Sequence, residues 1–151
     1  MADTTETMLS AFVEKGVIKT GRFTLKSGAA SPLSVAMRQV AGHPLLFQRC
    51  VEAMAARVAK AGAICGVPLG AVPYATAVAA RLGLPLTLLR KAPKAHGMGR
   101  QVDGHAAPTT RLALLDDVMT SGASVAAAVR TLHDHDMVVT QIVVQIGRAH
   151  V

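Results

Sequence analysis

Two adjacent carboxylates, Asp116 and Asp117, close an apolar run in the stretch LALLDDVMTSGAS, residues 112–124. Two acids at the tip of a strand can accept hydrogen bonds from two neighbouring hydroxyls, such as those of a ribose. Thr120, Ser121, Gly122, Ala123 and Ser124 follow, and a helical pattern begins there. Backbone N–H groups at a helix N-terminus point outward, and the helix dipole favours an anion. Gly122 permits close approach of the backbone to a ligand, and the hydroxyls add donors. One site can thus hold a sugar by its diol and a phosphate by its amides. Asp-Asp alone would read as two solvated acids after a strand; the attached Thr-Ser-Gly-Ala-Ser turns the reading toward a ligand.

A second concentration of chemistry lies in RKAPKAHGMGR, residues 90–100, which carries Arg90, Lys91, Lys94, Arg100 and His96 and no acid. The chain as a whole has a net charge of +7, a balance that suits nucleic acid, an anionic membrane or a small polyanion. No aromatic residue is interleaved with these cations to stack on bases. That favours a phosphate-rich small ligand over a single-stranded nucleic acid. A basic run by itself is usually a solvated surface, and only the neighbouring acid–glycine pattern gives this one a function.

These groups need a scaffold, and 151 residues suffice for one domain with a real core. Hydrophobic residues make up 51% but aromatics only 3%, so the apolar mass is Ala, Val and Leu, which suits close packing of helices on a sheet. Helical spacing is expected over residues 4–15, ended by Gly16, and between Gly42 and Gly62. GRFTLKSG and SPLSVAMRQV read as two short strands around a Gly/Ser turn. From there strands and helices alternate. AICGV, PLTLLR, TRLALLD and MVVTQIVVQ read as strands, AVPYATAVAARLG and GASVAAAVRTLHDH as helices, and residues 91–104 as a polar loop. Alternation of this kind predicts an α/β fold with a mainly parallel sheet and helices on both faces. Ligands in such sheets bind at the carboxyl ends of strands, where both chemical clusters fall.

The apolar run Ala71–Ala80 is too short to span a bilayer, and the acidic N-terminus lacks the layout of a secretory signal. Cys50 and Cys65 give neither a disulfide framework nor a zinc spacing and read as buried thiols. A cytoplasmic protein without nucleic-acid or membrane partners is expected. HDHD, residues 133–136, invites a metal reading, but consecutive helical residues point to different faces, so a solvated helix end is expected. His43 reads as a capping or surface residue. Neither a Walker-type Gly-Lys-Ser/Thr loop nor a Gly-x-Ser-x-Gly elbow is present.

The acid–acid–Thr-Ser-Gly pattern resembles the phosphoribosyl-diphosphate signature of type I phosphoribosyltransferases. FTLKSGAASP, GVPLGAVPYATAVA and LRKAPKAHGMGRQVDG narrow the match. They resemble the N-terminal segment, diphosphate-side loop and mobile catalytic loop of the orotate phosphoribosyltransferases, alone or as the matching domain of uridine monophosphate synthases. The resemblance covers roughly residues 8–145. It implies the type I phosphoribosyltransferase fold and transfer of phosphoribosyl from phosphoribosyl diphosphate to orotate. Asp116 and Asp117 match the ribose-binding acids, and Val118, Met119, Thr120, Ser121, Gly122, Ala123 and Ser124 match the 5′-phosphate loop. Lys26 matches a lysine that reaches base and donor. Arg90, Lys94 and His96 match residues that cover the neighbouring subunit's site, and Lys91 one that serves its own. The resemblance also implies a homodimer with shared sites and Mg²⁺ held mainly by substrate and water. Lys91, Lys94, His96 and Asp117 are the expected catalytic residues. A phosphoribosyltransferase acting on a purine base, or a non-catalytic sensor of phosphoribosyl diphosphate that binds nucleic acid, are the alternatives.

Departures from the family pattern are local. Ser34 and Ala36 stand where many relatives have Tyr and Asp, Leu69-Gly70 where some have Tyr-Lys, and Ala95 where an acid is common. The terminal IGRAHV, residues 146–151, matches the in-frame translation of a common short-read sequencing adapter. The expectation is a phosphoribosyltransferase domain over 1–145, missing its C-terminal elements. Residues 146–151 would then be a read-through tail that continues the last strand poorly.

Overall fold

The computed structural model describes residues 3–24, 28–92, 101–104 and 107–147, with the side chains of residues 3–7 left aside. The chain divides into two compact units, Met1–Arg49 and Cys50–Val151.

The first unit opens with α1, Asp3–Glu14. Gly16, at φ +68°, stops it in the left-handed conformation. Its N–H donates to the Val13 carbonyl at 3.0 Å, and that of Val17 to Phe12 at 2.8 Å. Phe12 and Val17, the two residues this cap brings together, are both buried. Strands β1, Ile18–Thr24, and β2, Ala30–Val35, pair antiparallel. The strand expected to run to Val40 stops at Val35, and Met37–Gly42 forms a 3₁₀ helix instead. Met37 and Val40 are both buried and lie three residues apart. A three-residue repeat buries both on one side, whereas a strand would point them to opposite faces.

Helix α2, Pro44–Ala55, crosses from the first unit into the second. Pro44 fills the first helical position, where a missing N–H costs nothing. The carbonyl of His43, just before it, accepts the N–H of Phe47 at 2.9 Å, so His43 caps the helix. Helical spacing had suggested continuation to Gly62, yet the helix unwinds after Ala55. Gln141 explains the difference. Its side-chain oxygen accepts the Ala59 N–H at 2.9 Å and its amide nitrogen donates to the Arg57 carbonyl, satisfying the unwound segment from a distant strand.

The second unit holds a five-stranded sheet in the order β5-β4-β3-β6-β7. Its strands are β3, Ala63–Gly66; β4, Leu86–Leu89; β5, Val102–Gly104; β6, Arg111–Met119; and β7, Val138–Gly147. All pairs are parallel except β4 with β5. Helix α3, Val72–Leu82, links β3 to β4, and α4, Ala123–His133, links β6 to β7. The helices lie on opposite faces. A Cβ on Gly66 would stand 2.9 Å from Ala75 of α3, so that face needs a bare backbone. On the other face Ala63, Cys65, Leu112 and Leu114 pack with Val125, Ala128 and Leu132 of α4. The expected α/β architecture with helices on both faces is the one observed.

Three details depart from expectation. The segment Val102–Gly104, read as loop, forms β5 at the sheet edge. β6 continues past Asp116 to Met119, and β7 runs through Ile146 and Gly147. The two extensions support each other, since Val118 pairs with Ile146 and Met119 with Gly147. The sequence tail was expected to continue the strand poorly; its first two residues do continue it because β6 supplies partners. An irregularity beside Leu112 and Ala113 shifts the β6–β7 register, so Val139 and Ile142 lie opposite Leu112 and Leu114 on the α4 face.

Candidate active site

Strand order reverses between β3 and β6. β3 leads through α3 to β4 on one side, and β6 leads through α4 to β7 on the other. The segments leaving the two carboxyl ends therefore diverge, and this reversal of strand order is where open α/β sheets receive ligands. Asp116 and Asp117 stand at this point on β6.

The two acids alternate across the strand and meet different surroundings. Asp116 is 4% exposed, one of few buried polar side chains among the described residues. Burial first, and the neighbouring Asp117 charge second, push its carboxyl up to about 7. The Asp117 N–H donates to Asp116 Oδ1 at 3.0 Å, which works in the opposite direction. Asp117 is half-buried and faces the segment that leaves β3. A Cβ on Gly70 would lie 2.2 Å from Asp117 Oδ2 and 2.6 Å from its Cγ. The carboxylate thus occupies the volume a side chain at position 70 would fill. Just beyond, Tyr74 is fully buried in the first turn of α3; burial, then the charges of Cys50 and Asp117, hold its phenol well above the usual range.

Thr120, Ser121 and Gly122 form the turn from β6 into α4. Thr120 and Ser121 are exposed. Gly122 caps the helix at φ +78°, a conformation that favours glycine. Ala123 and Ser124 are the first helical residues and are exposed, and the Ala123 N–H donates to Ser121 Oγ at 3.4 Å. The outward N-terminus beside two acids is thus present as anticipated. Val118 and Met119, expected in the phosphate loop, belong instead to the strand, for the pairing reason given above.

The basic cluster is described only at its start, residues 90–92. Arg90 and Lys91 follow β4 and are exposed. Arg90, expected to reach a ligand, forms an ion pair with Asp103 of β5: Nε donates to Oδ2 at 2.7 Å, and Nη2 contacts the same oxygen. Lys26, Lys94 and His96 lie outside the described residues. Gly70 and Asp103 fall within the segments expected to form the diphosphate-side and mobile loops, but their places beside Asp117 and Arg90 were not foreseen. Asp-Gly at 103–104 was the available signal for Asp103, and for Gly70 the only one was its departure from relatives.

The remaining candidates resolve simply. The HDHD run ends α4: Asp136 takes φ +59°, its N–H donates to His133 and that of Met137 to Leu132, both at 3.0 Å, and His135 Nδ1 lies 2.8 Å from the Thr131 carbonyl. Among the described residues no group of three His, Cys, Asp or Glu is placed to hold a metal, and no helix is long and apolar enough to cross a membrane. Cys50 and Cys65 are buried and outside any disulfide, and burial pushes the Cys65 thiol up to about 12.

Known proteins share this arrangement. The phosphoribosyl transferase domain family matches residues 38–150. Orotate phosphoribosyltransferase of Pyrobaculum aerophilum is 37% identical over 143 residues, 93% of this chain and 74% of that protein. The crystal structure of orotate phosphoribosyltransferase from Aeropyrum pernix superposes with a TM-score of 0.79 at 27% identity, over 93% of this chain and 81% of the other. UMP synthase of Leishmania donovani gives 0.82 at 28% identity over 94% of this chain, which spans 31% of that longer protein. With the family pattern matched over most of the chain, and relatives above 30% identity covered over most of their length, this chain belongs to the phosphoribosyltransferase family, in its orotate phosphoribosyltransferase branch.

Proposed function

We propose that this chain joins orotate to the phosphoribosyl group of 5-phosphoribosyl 1-diphosphate, giving orotidine 5′-monophosphate and diphosphate. The observation that carries the reading is the Asp116–Asp117 pair at the reversal of strand order, followed by a glycine-capped helix N-terminus. Asp116 and Asp117 accept the hydroxyls of the ribose. The N–H groups and hydroxyls of Thr120 to Ser124 take the 5′-phosphate. As C1 loses diphosphate and bonds the orotate ring nitrogen, positive charge grows on the sugar and negative charge on the leaving group. The paired carboxylates stabilise the first. Arg90, Lys91, Lys94 and His96 are assigned to the second, and Lys26 to base and donor, by the family pattern.

Mg²⁺ fits this reading. Two adjacent carboxylates, with no third ligand among the described residues, suit a cation held mainly by donor oxygens and water, as Mg²⁺ usually is. Bound so, it would neutralise diphosphate charge. A homodimer with shared sites and a cytoplasmic location complete the reading; two buried thiols suit a reducing compartment. Residues 1–145 are taken as the domain and 146–151 as read-through, and a long sequencing read across codon 145 tests this.

The activity test follows the loss of orotate absorbance with phosphoribosyl diphosphate and Mg²⁺, using the product of the full open reading frame. Orotate consumption matched by diphosphate release supports the reading. Turnover of a purine base with none of orotate replaces it with a purine phosphoribosyltransferase. Donor binding with no diphosphate release for any base replaces it with a sensor.

A further inference from the structure

Nothing so far gives Asp103 a task, yet three features of the sheet edge fix where its carboxylate stands. β5 pairs with β4 in the register Thr87–Gly104, Leu88–Asp103 and Leu89–Val102. The ladder extends one step further, because Arg90 N–H donates to the Gln101 carbonyl and Gln101 Nε2 donates to the Arg90 carbonyl, both at 2.9 Å. Gly104 sits at φ +97° with its Cα so close to β4 that a Cβ would lie 2.5 Å from the Leu86 carbonyl oxygen. Asp103 is thereby held directly before a position that only glycine fills. Side chains two apart on a strand share a face, so Arg90 lies with Leu88 and diagonally across from Asp103.

The ion pair uses the guanidinium in a particular way. Nε and Nη2 both address Asp103 Oδ2, which occupies one edge of the fork. The remaining three N–H donors, on Nη1 and the outer side of Nη2, are not taken up by Asp103. Two of them, one on each Nη, form the edge that matches two oxygens of a phosphate. Both partners are partly exposed, at 44% and 30% of their side chains, so the pair adds little to stability and its value lies in orientation.

We infer that Asp103 is a positioning residue for Arg90, holding the guanidinium at the end of β4 with its open edge presented to a phosphate group of the donor. The inference rests on the phosphoribosyl-diphosphate reading of the site. A long side chain already held in its binding rotamer loses less freedom when the anion arrives. The opposing electrostatic effect is explicit: Asp103 cancels the charge of Arg90 at long range, so its removal would strengthen anion binding if charge alone mattered.

The experiment is calorimetric titration of phosphoribosyl diphosphate with Mg²⁺ into the product of the full open reading frame and its variants. These are Asp103→Asn, Asp103→Ser, Asp103→Glu, Arg90→Gln and the Arg90→Gln/Asp103→Asn pair. Removing the carboxylate is expected to weaken donor binding about fivefold, with Asp103→Glu restoring it to within about twofold and no further loss in the Arg90→Gln background. Steady-state rates should show the same rise in donor KM with kcat within about twofold of the parent. Unchanged or tighter binding in both Asp103→Asn and Asp103→Ser overturns the inference, as does an equal loss when Arg90 is already Gln. A parent protein that does not bind the donor at all removes the functional reading and this inference together. A parent that binds while the Asp103 variants match it removes the inference alone.

Discussion

The carboxyl ends of β6 and β4 both present charge at the rim of one sheet, but they hold it by opposite means. β6 is flanked by β3 and β7, and Asp116, three residues before its end, is buried with its carboxyl pushed up to about 7. β4 is flanked by the short edge strand β5, and Arg90 beyond it is exposed and kept in place by Asp103. At β6 the protein interior sets position and protonation together, so an error there alters both geometry and charge. At β4 water screens the charge and only a partner fixes direction. Enclosure should therefore make the β6 end sensitive to single atoms, and pairing should make the β4 end tolerant.

The sharpest way to break that contrast is Gly70→Ala. The added methyl would overlap the Asp117 carboxylate, at 2.2 Å from Oδ2, and force it out of place. A loss of about 100-fold in kcat/KM is expected, the scale on which a displacement near 1 Å acts in a preorganised site. A rate within a few-fold of the parent would show that Asp117 can move freely and that enclosure is not what orders it.

Asp116→Asn comes next. Loss of charge-assisted hydrogen bonds to the ribose should weaken donor binding about 10- to 30-fold, read by titration. The same substitution should leave the fold intact or raise its melting temperature, because it removes a buried acid.

The pH dependence follows with its sign. The Asp116 carboxyl stands above its ordinary 3.8, at about 7, so the folded protein holds this proton more tightly than the unfolded chain. Its contribution to stability is full below about pH 4, declines as pH rises to about 7, and is constant above that. Melting temperatures of the parent and of Asp116→Asn should thus diverge between pH 4 and 7 and run parallel beyond. Donor binding below pH 7 should also release a proton that Asp116→Asn does not, measured by titration in buffers of different ionisation heat.

The smallest effect belongs to the β4 end, the roughly fivefold loss anticipated for Asp103→Asn. If it equalled the loss at Asp116, orientation by an exposed partner would count as much as enclosure, and the contrast between the two ends would disappear.

Local chemistry made much of this legible. The turn and helix cap around Gly122, and the left-handed stop at Gly16, follow from the one residue that enters that region without penalty. Strand and helix repeats gave the alternation, and alternation gave a parallel sheet, because parallel strands need a helix to return the chain. Asp116 and Asp117 were readable because Thr-Ser-Gly-Ala-Ser follows them at once; the two acids alone would have read as solvated. Lys26, Lys94 and His96 rest on family pattern alone.

What the sequence by itself determined, then, is which segments repeat, where the chain must turn and which residues carry charge into the site. Tertiary structure alone decided how far each segment runs and what its side chains meet. α2 stops at Ala55 because Gln141, 82 residues beyond Ala59, satisfies the unwound backbone. β6 and β7 lengthen because each offers the other partners, β5 exists because β4 has an open edge, and Gly70 and Asp103 acquire meaning only beside Asp117 and Arg90. Periodicity and backbone sterics act within a few residues and are written locally. Hydrogen-bond satisfaction and shared volume depend on groups far apart in the chain, and no local pattern encodes which of them will meet.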